Sequence, residues 1–330
     1  MARLASTFVM FIVAATLLPV AAATAQRVAA STPSGSLIVA SDEPGDRLVL
    51  LSAESGQQVG TIPVGGRPRG MVLSPDGKRV YVALGKDDAV GVVDLASRHV
   101  VRRLAVGKDP EQVAVSPDGK TVYVSNEEVA AATGVDIASR RTRFTSPVGK
   151  EPEGVAVSPD GRKLYVTGES DSSVSVLDAT TGRSLTKFAV GARPRFVVFT
   201  RDGARAYVSA ENGGVVSEID TRRDSVLATI VVGDRTTKPT GMALSPDEKT
   251  LYLANGRSNE VAIIDVATRT TTVTIPVGER PWGIALSPDG RTLYTANGRS
   301  GSISVIDVAA RRVTSTLAVG GRPYTVLLVP

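Results

Sequence analysis

The chain has 330 residues, a net charge of +5, one histidine, one tryptophan and no cysteine. Without thiols it cannot use cysteine nucleophiles, disulfides, thiolate metal sites or CxxCH haem attachment. A single imidazole likewise rules out a histidine cluster for zinc or copper and leaves no basis for Ser-His-Asp chemistry. The modest positive charge permits weak attraction to anions without demanding it.

In chain order, Arg3 precedes an apolar stretch from Leu4 to Val20 that closes with Ala23-Thr24-Ala25 before Gln26. This is the pattern of a cleaved export signal. Pro19 and the hydroxyls of Ser6, Thr7 and Thr16 leave it too short and too polar for a spanning helix. The expected organisation is a signal peptide over 1–25, a short linker over 26–35 and one domain over 36–330. The expected product is a periplasmic or secreted monomer with no membrane span after cleavage.

The rest of the chain is one repeat. Val-Gly pairs fall at Val64, Val106, Val148, Val190, Val232, Val277 and Val319, spaced by 42 residues except for one interval of 45. A proline follows each pair, and the long interval is an insertion within Asp234 to Lys238. After the proline comes a β-branched run such as Gly154-Val155-Ala156-Val157, then Ser-Pro-Asp-Gly or a variant, which reads as a hairpin turn. A second strand carries a tyrosine in register, as at Tyr81, Tyr123 and Tyr165, and a third ends in aspartate, as at Asp94, Asp136 and Asp178. A fourth strand returns to the next Val-Gly.

Four short strands per unit, repeated seven times, predict an all-β fold: a seven-bladed β-propeller of four-stranded antiparallel blades. The chain enters this repeat midway, with Leu37-Ile38-Val39 aligned to a second strand, and ends on Tyr324-Thr325-Val326-Leu327-Leu328, aligned to a first strand. One blade is therefore expected to be closed by N- and C-terminal strands together, which removes the exposed edges of an open stack.

Tyr81-Val82, Tyr123-Val124-Ser125-Asn126 and Tyr165-Val166-Thr167-Gly168, each preceded by Ser-Pro-Asp-Gly, resemble the YVTN-repeat β-propellers over the whole repeat region. The segments Arg67-Pro68-Arg69-Gly70, Asp109-Pro110-Glu111, Glu151-Pro152-Glu153-Gly154, Arg193-Pro194-Arg195-Phe196 and Arg280-Pro281-Trp282-Gly283 are similar, more narrowly, to the propellers associated with PQQ-dependent catabolism. The resemblance implies an exported accessory or binding protein and supplies no shared catalytic motif. PQQ-dependent dehydrogenases themselves typically have eight blades, tryptophan-rich repeats and a vicinal disulfide, so it implies a companion to such an oxidoreductase.

Function is expected where the copies differ. The residue after each proline opens an innermost strand, so Arg69, Glu111, Glu153, Arg195, Thr240, Trp282 and Tyr324 should ring one mouth of the central channel. Their order divides the ring into a basic and aromatic arc and an acidic arc. On the same face, Asp42, Glu127, Glu169 and Glu211 should extend the acidic side, and Lys86, Arg257 and Arg299 the basic side. Arginine forks and aromatic faces together suit a small anionic ligand or a segment of a partner protein. The repeated aspartates and tyrosines belong to blade geometry, and His99 to an outer strand.

These features predict a non-enzymatic binding or scaffold protein without a cofactor or metal site. Two alternatives remain: a single-stranded nucleic-acid binder, for which only Trp282, Tyr324 and Phe196 offer stacking platforms, and a divalent-metal-dependent lactonase or lyase built on the acidic arc, using oxygen ligands alone.

Overall fold

The computed structural model describes residues 35–330, together with Met1. Apart from Met1 and Gly35, the expected signal and linker lie outside the described residues. Among the described residues no helix is long and apolar enough to cross a membrane.

The first strands are β1 (Leu37–Asp42), β2 (Arg47–Ser52) and β3 (Gln58–Pro63). The first uninterrupted repeat follows as β4 (Pro68–Leu73), β5 (Arg79–Leu84), β6 (Ala89–Asp94) and β7 (His99–Ala105), with a single 3-10 turn at Gly85–Asp87. The same four-strand unit recurs as β8–β11 (110–147), β12–β15 (152–189), β16–β19 (194–231), β20–β23 (239–276) and β24–β27 (281–318). The last strand is β28 (Pro323–Val329), and the closing sheet has the order β28-β1-β2-β3. All seven sheets are four-stranded and antiparallel, and their innermost strands contact one another around a ring, β28 touching β4.

Burial follows strand position. The second and third strands of each blade are covered on both faces, as in β9 (Thr121–Asn126), which is buried throughout. Side chains between adjacent blades form separate apolar clusters, such as Tyr165, Val174 and Val176 with Val197 and Val208. At roughly 1.5 to 3 kcal/mol per buried large side chain, this inter-blade packing supplies most of the driving force. Outer strands are largely exposed, and His99 sits on one of them with its ring against the Ser97 carbonyl at 2.6 Å.

The repeated polar residues shape the turns. Asp94 accepts hydrogen bonds from the Ser97 amide at 2.8 Å and the Ser97 hydroxyl at 2.9 Å, and Asp136 and Asp178 do the same with Ser139 and Thr181. In the Ser-Pro-Asp-Gly hairpins Ser74 donates to Asp76 at 2.6 Å and accepts from the Arg79 amide at 2.9 Å.

Ring closure rests on β1 and β28, which pair from Leu37↔Val329 to Asp42↔Pro323. Asp42 seals this seam: its carboxylate accepts from the Arg322 amide at 3.1 Å and from Arg47 Nε at 3.0 Å. Ser41 adds a bond from the Thr325 amide at 2.9 Å. Deleting residues 323–330 is expected to expose the edges of β1 and the two adjoining blades and to collapse the cooperative thermal transition. An unchanged melting temperature by circular dichroism would refute the seam's role.

Candidate functional site

The mouth is built by a repeated kink. Each innermost strand pairs with its neighbour in register from its third or fourth residue onward, and the register shifts before that, as between Pro152 and Val155 or between Pro281 and Ile284. Such a bulge bends the strand and re-aims a side chain, here the residue after the proline. Hydroxyls of second strands hold these residues from the preceding blade: Ser41 donates to the Arg69 carbonyl at 3.0 Å and Ser209 to the Thr240 carbonyl at 2.6 Å. Neighbouring inner strands approach so closely that a Cβ on Gly154 would lie 2.5 Å from the Arg195 carbonyl oxygen, which is why glycine follows Glu153.

The seven ring residues converge, and their charges compensate one another. Arg69 and Arg67 both pair with Glu111, which is fully buried. Arg195 lies among three carboxylates, bonding Glu211 at 2.6 Å, Glu153 at 3.2 Å and Glu169 through the same terminal nitrogen as Glu153. Tyr324 donates its hydroxyl to Glu153 from the opposite side of the axis, so the two arcs are tied together. Trp282 and Tyr324 stack at 5.3 Å, with Arg69 4.5 Å over the tyrosine ring and Arg195 5.3 Å from the tryptophan centroid. Thr240 donates within the wall, to the Ala254 and Pro281 carbonyls.

The expected rim residues separate into three groups. Glu169 and Glu211 join the Arg195 cluster, and Glu127 lies within electrostatic reach of Arg69 and Glu153. Asp42 belongs instead to the ring seam, and its neighbour Glu43 reaches the mouth, 3.4 Å from Arg69. Arg257 and Arg299 are exposed and take no part in the network.

A second tier was missed in sequence. Arg67, Asp109, Arg193 and Arg280 each precede a repeat proline, and each has positive φ between 46° and 58°. That backbone costs a non-glycine residue on the order of 1–2 kcal/mol, and it turns the side chain toward the mouth. Arg193 then bonds Glu169 at 2.9 Å and Glu211 at 3.0 Å, while Arg280 bonds Glu211 at 2.8 Å and covers Trp282 at 4.4 Å. The signal was available: the residue before the proline is charged in every copy, Arg67, Asp109, Glu151, Arg193, Lys238, Arg280 and Arg322.

Burial and neighbouring charge pull the carboxyls apart. Burial, reinforced by Glu153, pushes Glu169 up to about 7 against the opposing pull of Arg195 and Arg193. Burial also opposes ionisation of Glu153 and Glu211, but arginines, Arg195 foremost, hold both below the ordinary glutamate value. Tyr324 is driven up by burial and by Glu153, so its phenol stays protonated and donating. Because Glu169 is raised above its unfolded value of about 4.3, the stability it contributes is full below that pH and is lost as pH climbs through 7. Glu153 and Glu211 have the opposite sign and weaken the fold as pH falls.

Asp109, Glu111 and Glu127 each bring a carboxylate oxygen within 4.8 Å of the others. Oxygen donors suit calcium or magnesium, but Arg67 already holds Asp109 at 2.6 Å and both Arg67 and Arg69 hold Glu111. A cation would have to displace two guanidinium groups, so the residues as arranged do not fit a resident metal. Inside the ring the channel encloses about 310 Å³. Glu153, Arg195, Thr240, Trp282 and Tyr324 line its mouth end, and the remainder is lined by Gln112, Thr325 and otherwise apolar residues.

With this geometry in view, the comparisons bear on function. A family model described as lactonase, 7-bladed beta-propeller, matches residues 181–320. No curated protein matches the sequence. Among solved structures, hydrazine synthase of Kuenenia stuttgartiensis is similar at 26% identity and a TM-score of 0.76, over 84% of this chain and 94% of that one. A functionally unknown protein from Desulfotomaculum acetoxidans aligns at 15% identity and a TM-score of 0.77, over 87% and 98% of the two chains. A putative 6-phosphogluconolactonase from Bacteroides fragilis aligns at 20% identity and 0.77, over 91% and 99%. The propeller fold is common to all of them. The lactonase match overturns the expectation that the chain is not an enzyme, which rested on the absence of cysteine, the single histidine and the lack of a shared catalytic motif, and it favours the lactonase alternative drawn from the acidic arc.

Replacing Arg195 with Met should leave the buried Glu153 without an ion-pair partner, strip one partner each from Glu169 and Glu211, and destabilise the protein by roughly 3–5 kcal/mol. Tyr324→Phe should cost less, about 1.5–3 kcal/mol, the range for a hydrogen bond to a charged group. Urea unfolding of the two variants checks the order; equal costs would argue against the arginine as the centre of the network.

Proposed function

We propose that the protein is an exported lactonase-type hydrolase whose reaction occurs where the Arg195 cluster meets the channel. The observation that carries the reading is the shared guanidinium: Arg195 touches both Glu153, which lines the cavity, and Glu169, whose carboxyl titrates near neutrality. The lactonase family match over residues 181–320 supports it, and the putative 6-phosphogluconolactonase shares its fold. The leader-like pattern of residues 1–25 is what supports export.

The chemistry needs no thiol or histidine. The Glu169 carboxylate takes a proton from water as the water oxygen bonds to the lactone carbonyl carbon. Negative charge passes to the carbonyl oxygen, where Arg195 is the available donor, the single phenolic proton of Tyr324 being held by Glu153. Collapse of this adduct breaks the ring C–O bond, and the proton on Glu169 passes to the departing alkoxide, leaving a hydroxy acid. A carboxyl titrating close to the working pH suits both transfers.

Release of acid from a panel of γ- and δ-lactones tests the reading. The rate should rise with pH through about 7, as Glu169 loses its proton. Glu169→Gln should lower kcat by roughly 10²–10⁴-fold, the usual contribution of a general acid or base. Chelators should leave turnover unchanged. Absence of ring opening across the panel, or full activity in the Gln variant, would defeat the proposal.

A further inference from the structure

The cavity wall has a second chemistry below the charged ring. Elsewhere in the blades, large apolar side chains on the second and third strands are fully buried, as Leu164, Val166 and Leu177 are. On the innermost strands several stay partly exposed: Val72, Val155, Val157, Phe196, Ile284 and Leu327 line the channel and retain solvent contact, beside the buried Met71, Val113 and Val326. No charged residue lines the cavity beyond Glu153 and Arg195. A partly exposed apolar surface inside a concavity, with polar groups gathered at one end, is the pattern of a ligand pocket.

We infer that the channel takes the aliphatic chain of an amphiphile whose carbonyl-bearing head sits against Arg195, Glu153 and Tyr324. For the head group the inference rests on the lactonase reading, which it narrows to lactones bearing a linear alkyl substituent; the chain site itself does not need turnover. Size agrees with such a guest. At roughly 30 Å³ per water-sized group, 310 Å³ holds a head and a medium-length chain. Charge agrees as well, since the mouth carboxylates already compensate the arginines and leave a head site for a neutral, hydrogen-bonding group. A polyhydroxylated ring would leave most of its hydroxyls unpaired, because Gln112 and Thr325 are the wall's only polar side chains outside the mouth group.

The experiment uses γ-lactams with butyl, hexyl and octyl substituents, which keep the cyclic carbonyl and resist hydrolysis. Trp282 is the sole tryptophan and lines the mouth end of the cavity, so intrinsic fluorescence reports occupancy directly. Affinity should rise roughly threefold to fourfold per methylene, the value for transferring a CH₂ out of water, until the channel is full. Ala156→Phe, placed in the wall away from the charged ring, should abolish this chain-length dependence while the unsubstituted lactam still binds. Affinity independent of chain length, or preference for a sugar lactam over the octyl compound, overturns the inference. Chain-length-dependent binding without opening of any lactone would uphold the channel site and refute only the hydrolase reading.

Discussion

Backbone pairing between the last strand and the first holds the ring shut, and every other feature depends on it. Without β28 against β1 the closing sheet loses its innermost strand, Asp42 loses the Arg322 amide, and Tyr324 is no longer placed across from Glu153. Residues more than 170 positions apart then have no reason to meet. Closure is also what makes burial possible on both faces of every blade, because each sheet is covered only by its neighbours.

Given closure, convergence creates an electrostatic problem that the sequence must solve locally. Seven inner strands aim the residue after each proline at one axis, and five of those residues are charged or carry a phenol. Uncompensated charges there would destabilise the fold by several kcal/mol. The compensation comes from a different structural level, the strained residues before the prolines and the loops after the second strands. Arg193 and Arg280 serve Glu211 from one blade and the next but one, so the cluster couples blades that do not share a sheet. The same crowding raises Glu169 while lowering Glu153, which separates two chemically identical side chains into a proton-carrying group and a permanent carboxylate.

The fold was legible because its cause is periodic. A 42-residue interval, a tyrosine in register and the Ser-Pro-Asp-Gly turn each mark a position in the blade, and the half-units at the two ends add up to one more. The ring at the mouth could be read from the same register, since the residue after the proline is fixed by the repeat. The second tier was not legible by that route. A residue before proline is expected in extended backbone, whereas Arg67, Arg193 and Arg280 adopt the left-handed conformation that turns them inward. Asp42 shows the opposite failure: the 42-residue register places Glu43, not Asp42, with Glu127 and Glu169, and Asp42, which ends its strand, spends its carboxylate at the seam on the terminal strand's amide. The raised titration of Glu169 was not legible for a related reason, because it comes from burial beside Glu153, a pairing between blades.

The tyrosine that bridges the axis belongs to the strand that fastens the circle. Anything that tightens the grip of Glu153 on its phenol also holds that strand in place, and fraying of the tail takes Tyr324 out of the mouth. Occupancy of the channel and cohesion of the termini are thus two readings of a single equilibrium, and the protein's resistance to unzipping should track whether it holds a guest.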